Sequence, residues 1–451
     1  MYSSMDKDST QENIMGREPI LSLLVKISLP LMISMLVQAL YNIVDSIFVA
    51  MVSETALTAV SLVFPIQNLL IAFGVGTGVG MASFMSRKLG EKDVETAEKV
   101  AGNGITLSVI TWVFYALLGL IFSRPFLMLF TQDETLLELS VEYSIIVTTC
   151  SIFMFLSLIN ERILQGTGDS MSSMISQLSG AITNIILDPV FIFTFNMGIK
   201  GAAIATIIGQ AVGCFISFYF VKRNKYLSIK KHHLKLQKHI VSSIYNVGAP
   251  TIITNSIGTV MTSALNGILI AFSTTAVSVF SVYFKLQSFV FMPIFGLSAG
   301  MVPIIAYNYG ARKKERMIET VKDGSIIGLC IMVLGTLCFN IFPTSLLSLF
   351  SATEEMYRIG IPALKIISLC FSLAAISIGL SSTFQATGFG IGTMITSIIR
   401  QLLVLIPVAY LFSKLWGLDG VWWSFPVAEA VGLIVSIALY IYVYKTRIKN
   451  L

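Results

Sequence analysis

Apolar residues along the 451-residue chain gather into about a dozen blocks, parted by short breaks rich in charge, proline or glycine. An α-helix needs roughly 20 residues to cross a hydrocarbon core about 30 Å thick. The pattern predicts spans near 20–49, 56–84, 99–122, 137–159, 171–194, 199–221, 243–270, 276–304, 320–342, 358–380, 392–413 and 420–444. The breaks from Val52 to Thr55 and from Ser273 to Thr275 are short enough for tight hairpin turns. The two-residue alternation of a membrane β-barrel is absent, which leaves helices to satisfy the backbone inside lipid. The first block is too long for a signal peptide and lacks its cleavage pattern, so it is read as the first span.

The two halves of the chain repeat at an offset of 220 residues. Pro30 pairs with Pro250, Gln67 with Gln287, Gly76 with Gly296, Gly80 with Gly300, Met81 with Met301 and Gly90 with Gly310. Leu129-Phe130 pairs with Leu349-Phe350, and Gln165, Thr167 and Gly168 pair with Gln385, Thr387 and Gly388. Chance matches of Leu or Gly would not keep one register across Pro, Gln and a QxTG tetrapeptide, so the halves read as a duplication. Each unit holds six spans. An even number makes both units enter the membrane in the same sense, with a pseudo-twofold axis along the membrane normal. The expected fold is therefore an all-α integral membrane protein, twelve transmembrane helices in two six-helix lobes. The division is a tail 1–18, a first lobe 19–221, a basic linker 222–242, a second lobe 243–444 and a tail 445–451.

Composition agrees with the pattern: 55% of residues are hydrophobic and 12% charged, against roughly 25% charged in a soluble chain. The net charge of +6 matters through its placement. With the N-terminus inside, inner segments hold 21 of the 30 Lys and Arg, Lys7 and Arg17 among them, and outer loops hold only Arg124, Lys200, Arg358 and Lys414. Both termini are expected in the cytoplasm. The basic residues form no single groove for nucleic acid. The stretch Lys222 to Lys238, with His232, His233 and nearby His239, reads as a solvated cytoplasmic linker. Cys150, Cys214, Cys330, Cys338 and Cys370 sit in apolar stretches without a CxxC pair, which supports neither a disulfide framework nor a zinc site.

Ionisable groups inside a bilayer are costly and point to function. On the first span Gln38, Asn42 and Asp45 stand at i, i+4 and i+7 and share a helix face. Asn184 and Asp188 lie one turn apart on the fifth, Thr206 and Gln210 on the sixth, and Tyr143 near the start of the fourth. These faces offer two carboxylates and neutral oxygens, a set suited to a proton or a small hard cation. In the repeat, Asp45 corresponds to Leu265 and Asp188 to Val408, so only the first half carries the acids. Asp45 and Asp188 are expected to act as one coupled pair holding a single proton near neutral pH, with Na+ as the competing occupant. Glu429, Arg400 and Lys285 read as substrate contacts, gating pairs or a structural Arg400–Glu429 ion pair, the structural reading being favoured. Met35, Gln38, Asn42, Met261 and Gln287 are candidates for a substrate cavity between the lobes, Met being adaptable to varied apolar ligands. Pro30, about four turns before Asp45, is expected to let the first helix bend. Gly296-Leu-Ser-Ala-Gly300 imitates a nucleophile elbow without its strand-turn-helix setting or a downstream His, and GVGTGVG fails the dinucleotide spacing, so the glycines read as small-residue helix contacts.

Together SLPLMISMLVQALYNIVDSIFV, ASFMSRKLGEKD, LQGTGD, TNIILDPVFIF and MGIKGAAIAT resemble the multidrug and toxin extrusion (MATE) transporters of the DinF-like branch. The resemblance runs from about Pro19 to the C-terminus. It implies a V of two six-helix lobes in a prokaryotic plasma membrane, exporting organic, usually cationic, drug-like compounds against a proton or sodium gradient. It also implies a cation site at Asp45, Tyr143, Asn184, Asp188 and Thr206. No acid lies between Ala249 and Gly310 or between Ile359 and Gly390, so the C-lobe coupling site of the other large branch is not expected. The expected protein is a secondary antiporter that works as a monomer among membrane lipids, without cofactor or nucleic acid, and is not an enzyme. The rival readings are a lipid-linked saccharide flippase, which would need more basic cavity residues, and a membrane scaffold or enzyme, which would need a nucleophile or metal set within the spans.

Overall fold

The computed structural model describes residues 13–350 and 352–451, apart from the side chain of Glu54. Lys7 and most of the tail counted as cytoplasmic fall outside the described residues. The membrane helices are α1 (Ile20–Val52), α2 (Glu54–Gly90), α3 (Val94–Leu127), α4 (Glu134–Thr149 and Ile152–Gly166), α5 (Ser170–Pro189 with a π turn Val190–Thr194) and α6 (Gly198–Lys222). The second half supplies α7 (Lys238–Leu269), α8 (Thr274–Gly310), α9 (Lys314–Ile341), α10 (Glu354–Ser368 and Phe371–Ala386), α11 (Gly390–Trp416 with a π stretch Ile398–Leu405) and α12 (Leu418–Val443 with a π turn Tyr444–Ile448). Ten of these are long and apolar enough to cross a membrane alone, and α4 and α10 do so as pairs bent by 44° and 43°. Every predicted span is present, most of them longer than the apolar block, because the helices run on into the charged margins. α7, for example, begins at Lys238, inside the stretch expected to be linker.

The repeat is geometric as well as sequential. Ser53 and Ser273 are extended N-caps whose hydroxyls accept from Ala56 N and Ala276 N, each at 3.0 Å, which is how a hairpin of so few residues starts the next helix. Lys92 and Arg312 are left-handed at φ 63° and 57°, and Gly168 and Gly388 at φ 89° and 76°. The glycine of the repeated QxTG is thus fixed by a turn that a side chain would strain.

The halves meet crosswise, α1 on α8 and α2 on α7. A methyl at Gly80 would strike the Ile244 carbonyl, one at Gly300 the Ser28 side chain, one at Gly90 the Tyr307 carbonyl and one at Gly310 the Arg87 carbonyl across the axis. The paired glycines are where the lobes touch, the small-residue role read from the sequence. The apolar core follows the same plan. One cluster draws on both halves, with Leu24, Met81, Ile163, Ile244, Met301 and Phe384, at the end of the molecule that carries both termini. Toward the other end each half has its own core, Val63, Val147 and Ile192 in one and Phe280, Phe371 and Trp422 in the other. An apolar cavity of about 440 Å³ lies between them, bounded by α2, α3, α4 and α7. Exposed apolar side chains such as Leu117 and Ile121 on α3 and their repeat partners Leu337 and Ile341 on α9 form the lipid-facing surface.

The connection between halves departs from the solvated loop expected. His233 is 2% exposed, and the segment is strapped to the end of α3. Asn103 Nδ2 donates to the carbonyls of His233 (3.4 Å) and Lys235 (3.1 Å), while its Oδ1 accepts from Gln237 N (2.9 Å). Thr106 donates to Leu234 O (2.7 Å), and Glu98 Oε1 accepts from Ser228 N (2.6 Å). The strap reuses backbone groups that a loop leaves to water, and their buried partners are legible only in three dimensions.

Candidate functional site

Four helices of the first lobe bring their polar faces together. α1 packs on α5, and α5 on α6. The Asp45 carboxyl of α1 stands near that of Asp188 on α5. Asp188 is wholly buried, Asn184 and Tyr143 nearly so, and Thr206 is 7% exposed. Asn184 links the set. In the amide orientation that satisfies both of its ends, its NH2 donates to Asp188 Oδ2 at 3.0 Å, and its oxygen accepts from the Thr206 N–H at 3.0 Å and hydroxyl at 3.3 Å. Pro189 follows directly, and the chain passes into the π turn Val190–Thr194. Proline cannot donate the next helical bond, and π turns recur where a helix is locally rebuilt around a function.

The arrangement is electrostatically unfinished. Asp45 is half-buried, yet its Oδ1 is closed off and has no hydrogen-bond partner. Two adjacent carboxylates in an apolar lobe repel each other unless something positive lies between them. The donor set is all oxygen: two carboxylates, an amide and a hydroxyl. Among the described residues no cluster of three His, Cys, Asp or Glu exists for a transition metal, and the set suits a proton or a hard monovalent cation.

Two further side chains complete the site. Tyr41, one turn before Asp45, lies close to Thr206, both acids and Tyr143. Gln67 of α2 donates to the Tyr143 hydroxyl at 3.4 Å. Tyr41 stands at i+3 from Gln38, but in an apolar helix a tyrosine reads as packing; Gln67 is marked in the sequence only as a repeat partner. A third missed group is Glu161, 5% exposed, whose oxygens accept from Ser157 (2.9 Å) and Gln177 (3.1 Å). The charged pair Glu161-Arg162 reads as the end of a span at 159, whereas α4 runs on to Gly166 and buries it.

The substrate-cavity candidates are more scattered. Met35, Gln38 and Gln287 are half-buried and Asn42 is exposed. Met261 is 9% exposed and packed in the core of the second lobe with Leu265 and Phe280. Its burial argues against that candidate: α7 carries a polar stripe of Thr251, Asn255, Thr259, Thr262 and Asn266, and Met261 lies off it. Pro30 lies inside α1, and the helix runs unbroken through it. In the second lobe, Arg400 Nη1 binds both Glu429 oxygens, at 2.8 and 3.2 Å. The ion pair expected from the sequence does form. Lys285 is exposed, with its Nζ 5.9 Å from the Phe350 ring centre.

The profile of the MatE family matches the chain twice, over residues 30–190 and 250–411, one copy in each half. The chain is 32% identical over 425 residues to the multidrug export protein MepA of Staphylococcus haemolyticus (strain JCSC1435), covering 93% of this chain and 92% of that protein. It also superposes on a solved outward-facing conformation of a multidrug resistance MATE family transporter with a TM-score of 0.91 and 28% identity, covering 97% of this chain and 99% of the other. A MATE protein in the bent conformation gives a TM-score of 0.92 at 28% identity, over 98% and 99% of the two chains.

Proposed function

The chain belongs to the MATE family, whose members are transporters and not enzymes, and from that premise we propose that it is a multidrug exporter driven by antiport of H+ or Na+ through the Asp45–Asp188 pair. The observation that carries this reading is the pair itself: two carboxyls side by side in one lobe, with one buried oxygen of Asp45 left unpartnered. An unpaired polar oxygen costs about 1–3 kcal/mol and more when charged, a cost that a bound proton or Na+ removes. Asp45, Asp188, Asn184 and Thr206 supply the oxygens, while Tyr143 and Tyr41 close the site toward α4 and α6.

The export cycle follows from the fold. Among the described residues the core shared by the lobes lies at the end bearing the termini, which the positive-inside count assigns to the cytoplasm. This form is accordingly open outward. Organic compounds, cationic and amphipathic by the resemblance, occupy the cleft between the lobes, where Met35, Gln38, Asn42 and Gln287 are the candidate contacts. Ion binding at Asp45 changes which bonds the α1 face makes with Asn184 and Tyr143, and so weights one lobe arrangement against the other. Pro30 is the point on α1 where bending costs least. Coupling is reciprocal, so the drug must lower affinity for the ion as the ion lowers affinity for the drug. The protein acts as a monomer in a prokaryotic plasma membrane.

The test is export of a fluorescent organic cation from cells in which the proton and sodium gradients are collapsed separately. Loss of export on collapsing one gradient identifies the coupling ion; export untouched by both refutes antiport.

A further inference from the structure

Just before α1, residues Asn13 to Glu18 lie in the seam between the lobes at the end bearing the termini. Met15 is completely buried there. Asn13 Nδ2 donates to the Thr167 carbonyl at 3.0 Å, on the corner that joins α4 to α5 in the first lobe. The next residues are held by the second lobe. The Met15 carbonyl accepts from Asn308 Nδ2 (3.0 Å) and Arg316 Nη2 (3.2 Å), the Gly16 carbonyl from Lys313 Nζ (2.9 Å), and the Glu18 carbonyl from Arg316 Nη2 (2.7 Å). Arg316 is itself aimed by Asn308, whose Oδ1 accepts from its Nε at 3.2 Å. Six residues thus bridge both lobes.

The repeat supplies the comparison. Thr387 is the partner of Thr167, and its carbonyl accepts from Arg447 Nη1 at 2.8 Å. Arg447 belongs to the tail of that same lobe, so this carbonyl is tied within its own body. The equivalent first-lobe carbonyl is tied by a segment anchored on the opposite lobe. Both corners are thus tied across the seam, the second-lobe corner by Ser83 of the first lobe, which donates to the Gln385 carbonyl at 2.6 Å, and the first-lobe corner by Asn13.

We propose that Asn13–Glu18 is a clasp that holds the lobes together on the termini side, with Asn13 as the positioning residue whose release from Thr167 is a required step when that side opens. The inference rests on the transport reading, because only a cycle between two open sides needs this seam to part. The clasp pivots on the second lobe, which makes four hydrogen bonds to its backbone carbonyls, and lets go of the Thr167 corner of the first, while Glu18 stays paired with Lys26 of α1 at 2.9 Å.

The two roles of Asn13 can be separated. Its Oδ1 caps the short turn Ile14–Arg17 by accepting from Met15 N at 2.9 Å, whereas its Nδ2 makes the tie. Asn13→Asp keeps the cap and loses the donor; Asn13→Ala loses both. Nitroxide labels on the exposed repeat partners Glu95 and Glu315 (E95C and E315C, in the full chain with the native cysteines replaced) report the distance between lobes on this side. Loss of one hydrogen bond in the closed form should raise the ratio of long to short distances roughly three- to tenfold in N13D, with N13A at least as large. A shift in N13A alone would assign the effect to the cap and overturn the clasp, as would no shift in either variant. In addition, a short thiol crosslink between N13C and T167C should stop efflux of ethidium until reductant is added. Full efflux while crosslinked would overturn the proposal. The distances are read without substrate, so a failed clasp is distinguishable from a failed transport reading, which would show as no ethidium efflux by the wild-type chain.

Discussion

Gly80 and Gly258 are both helix-interior glycines, on α2 and α7, and their replacement by alanine should have opposite effects. At Gly258 an added methyl meets nothing within 4 Å. Alanine there removes the entropic penalty of glycine and should stabilise the protein by about 0.5–1 kcal/mol. At Gly80 the same methyl would collide with the Ile244 carbonyl and lie 2.9 Å from Gly248 N. Both are backbone atoms of α7, so no rotamer change relieves the overlap and α2 and α7 must separate. Ordinary contact begins near 3.5 Å, which asks for a displacement of about 1 Å across the closest part of the shared core. Overpacking of this kind costs typically 1–3 kcal/mol. The two variants should therefore differ by roughly 1.5–4 kcal/mol. Thermal unfolding of the purified protein in detergent should rank G258A at or above wild type and G80A clearly below. The helix crossing described here would be refuted if G80A unfolded at the temperature of G258A.

Truncating either member of the Arg400–Glu429 pair leaves a charge without its partner in the second lobe and should destabilise by about 2–4 kcal/mol; the double variant R400M/E429M should recover most of the loss in a thermal double-mutant cycle, and simple additivity would contradict the pairing. Burial, with His232 beside it, holds the His233 imidazole below the usual histidine range, and its Nδ1 accepts from Lys230 N at 3.2 Å. A depressed histidine favours folding above its unfolded pKa of about 6.5, and that contribution is lost as pH falls through the lower folded value; tryptic cutting of the strap at Lys230, Lys231 and Lys235 should therefore speed up below about pH 6.5, and a flat profile would sink the assignment. Asn103→Ala removes the buttress of the same strap and should speed cutting at every pH. Pro30→Ala should impair coupling of efflux to the ion gradient more than Pro250→Ala does; equal mild losses would make both prolines architecture.

How far the sequence reaches can be judged residue by residue. The spans were legible because hydropathy averaged over twenty residues survives any tertiary arrangement. Their ends were not, since α2 and α8 carry Arg87, Lys88 and Tyr309 on helix that emerges from the membrane. Nothing in the segment VTTCS marks the bend of α4, and the π stretch around Arg400 has no proline within it, so both depend on packing. Asp45 and Asp188 stood out because a carboxylate in an apolar block is rare and its repeat partner Leu265 is an ordinary buried core residue. Tyr41 and Gln67 carry no such contrast, and Glu161 was hidden by the charge that follows it. The strap on α3 and the clasp in the seam are made largely of backbone carbonyls, which every sequence offers and none singles out.

The measurement that tests the coupling site most directly is ion release on drug binding. Purified protein in weakly buffered detergent solution is mixed with a fluorescent organic cation that it exports, while proton release is followed by a pH dye and Na+ release by displacement of radioactive sodium. If Asp45 and Asp188 hold the coupling ion as one site, the wild-type chain should release about one ion for each pair when drug binds, by the linkage that antiport requires, and D45N and D188N should each abolish that release while still binding drug. Undiminished ion release in D45N would contradict the assignment.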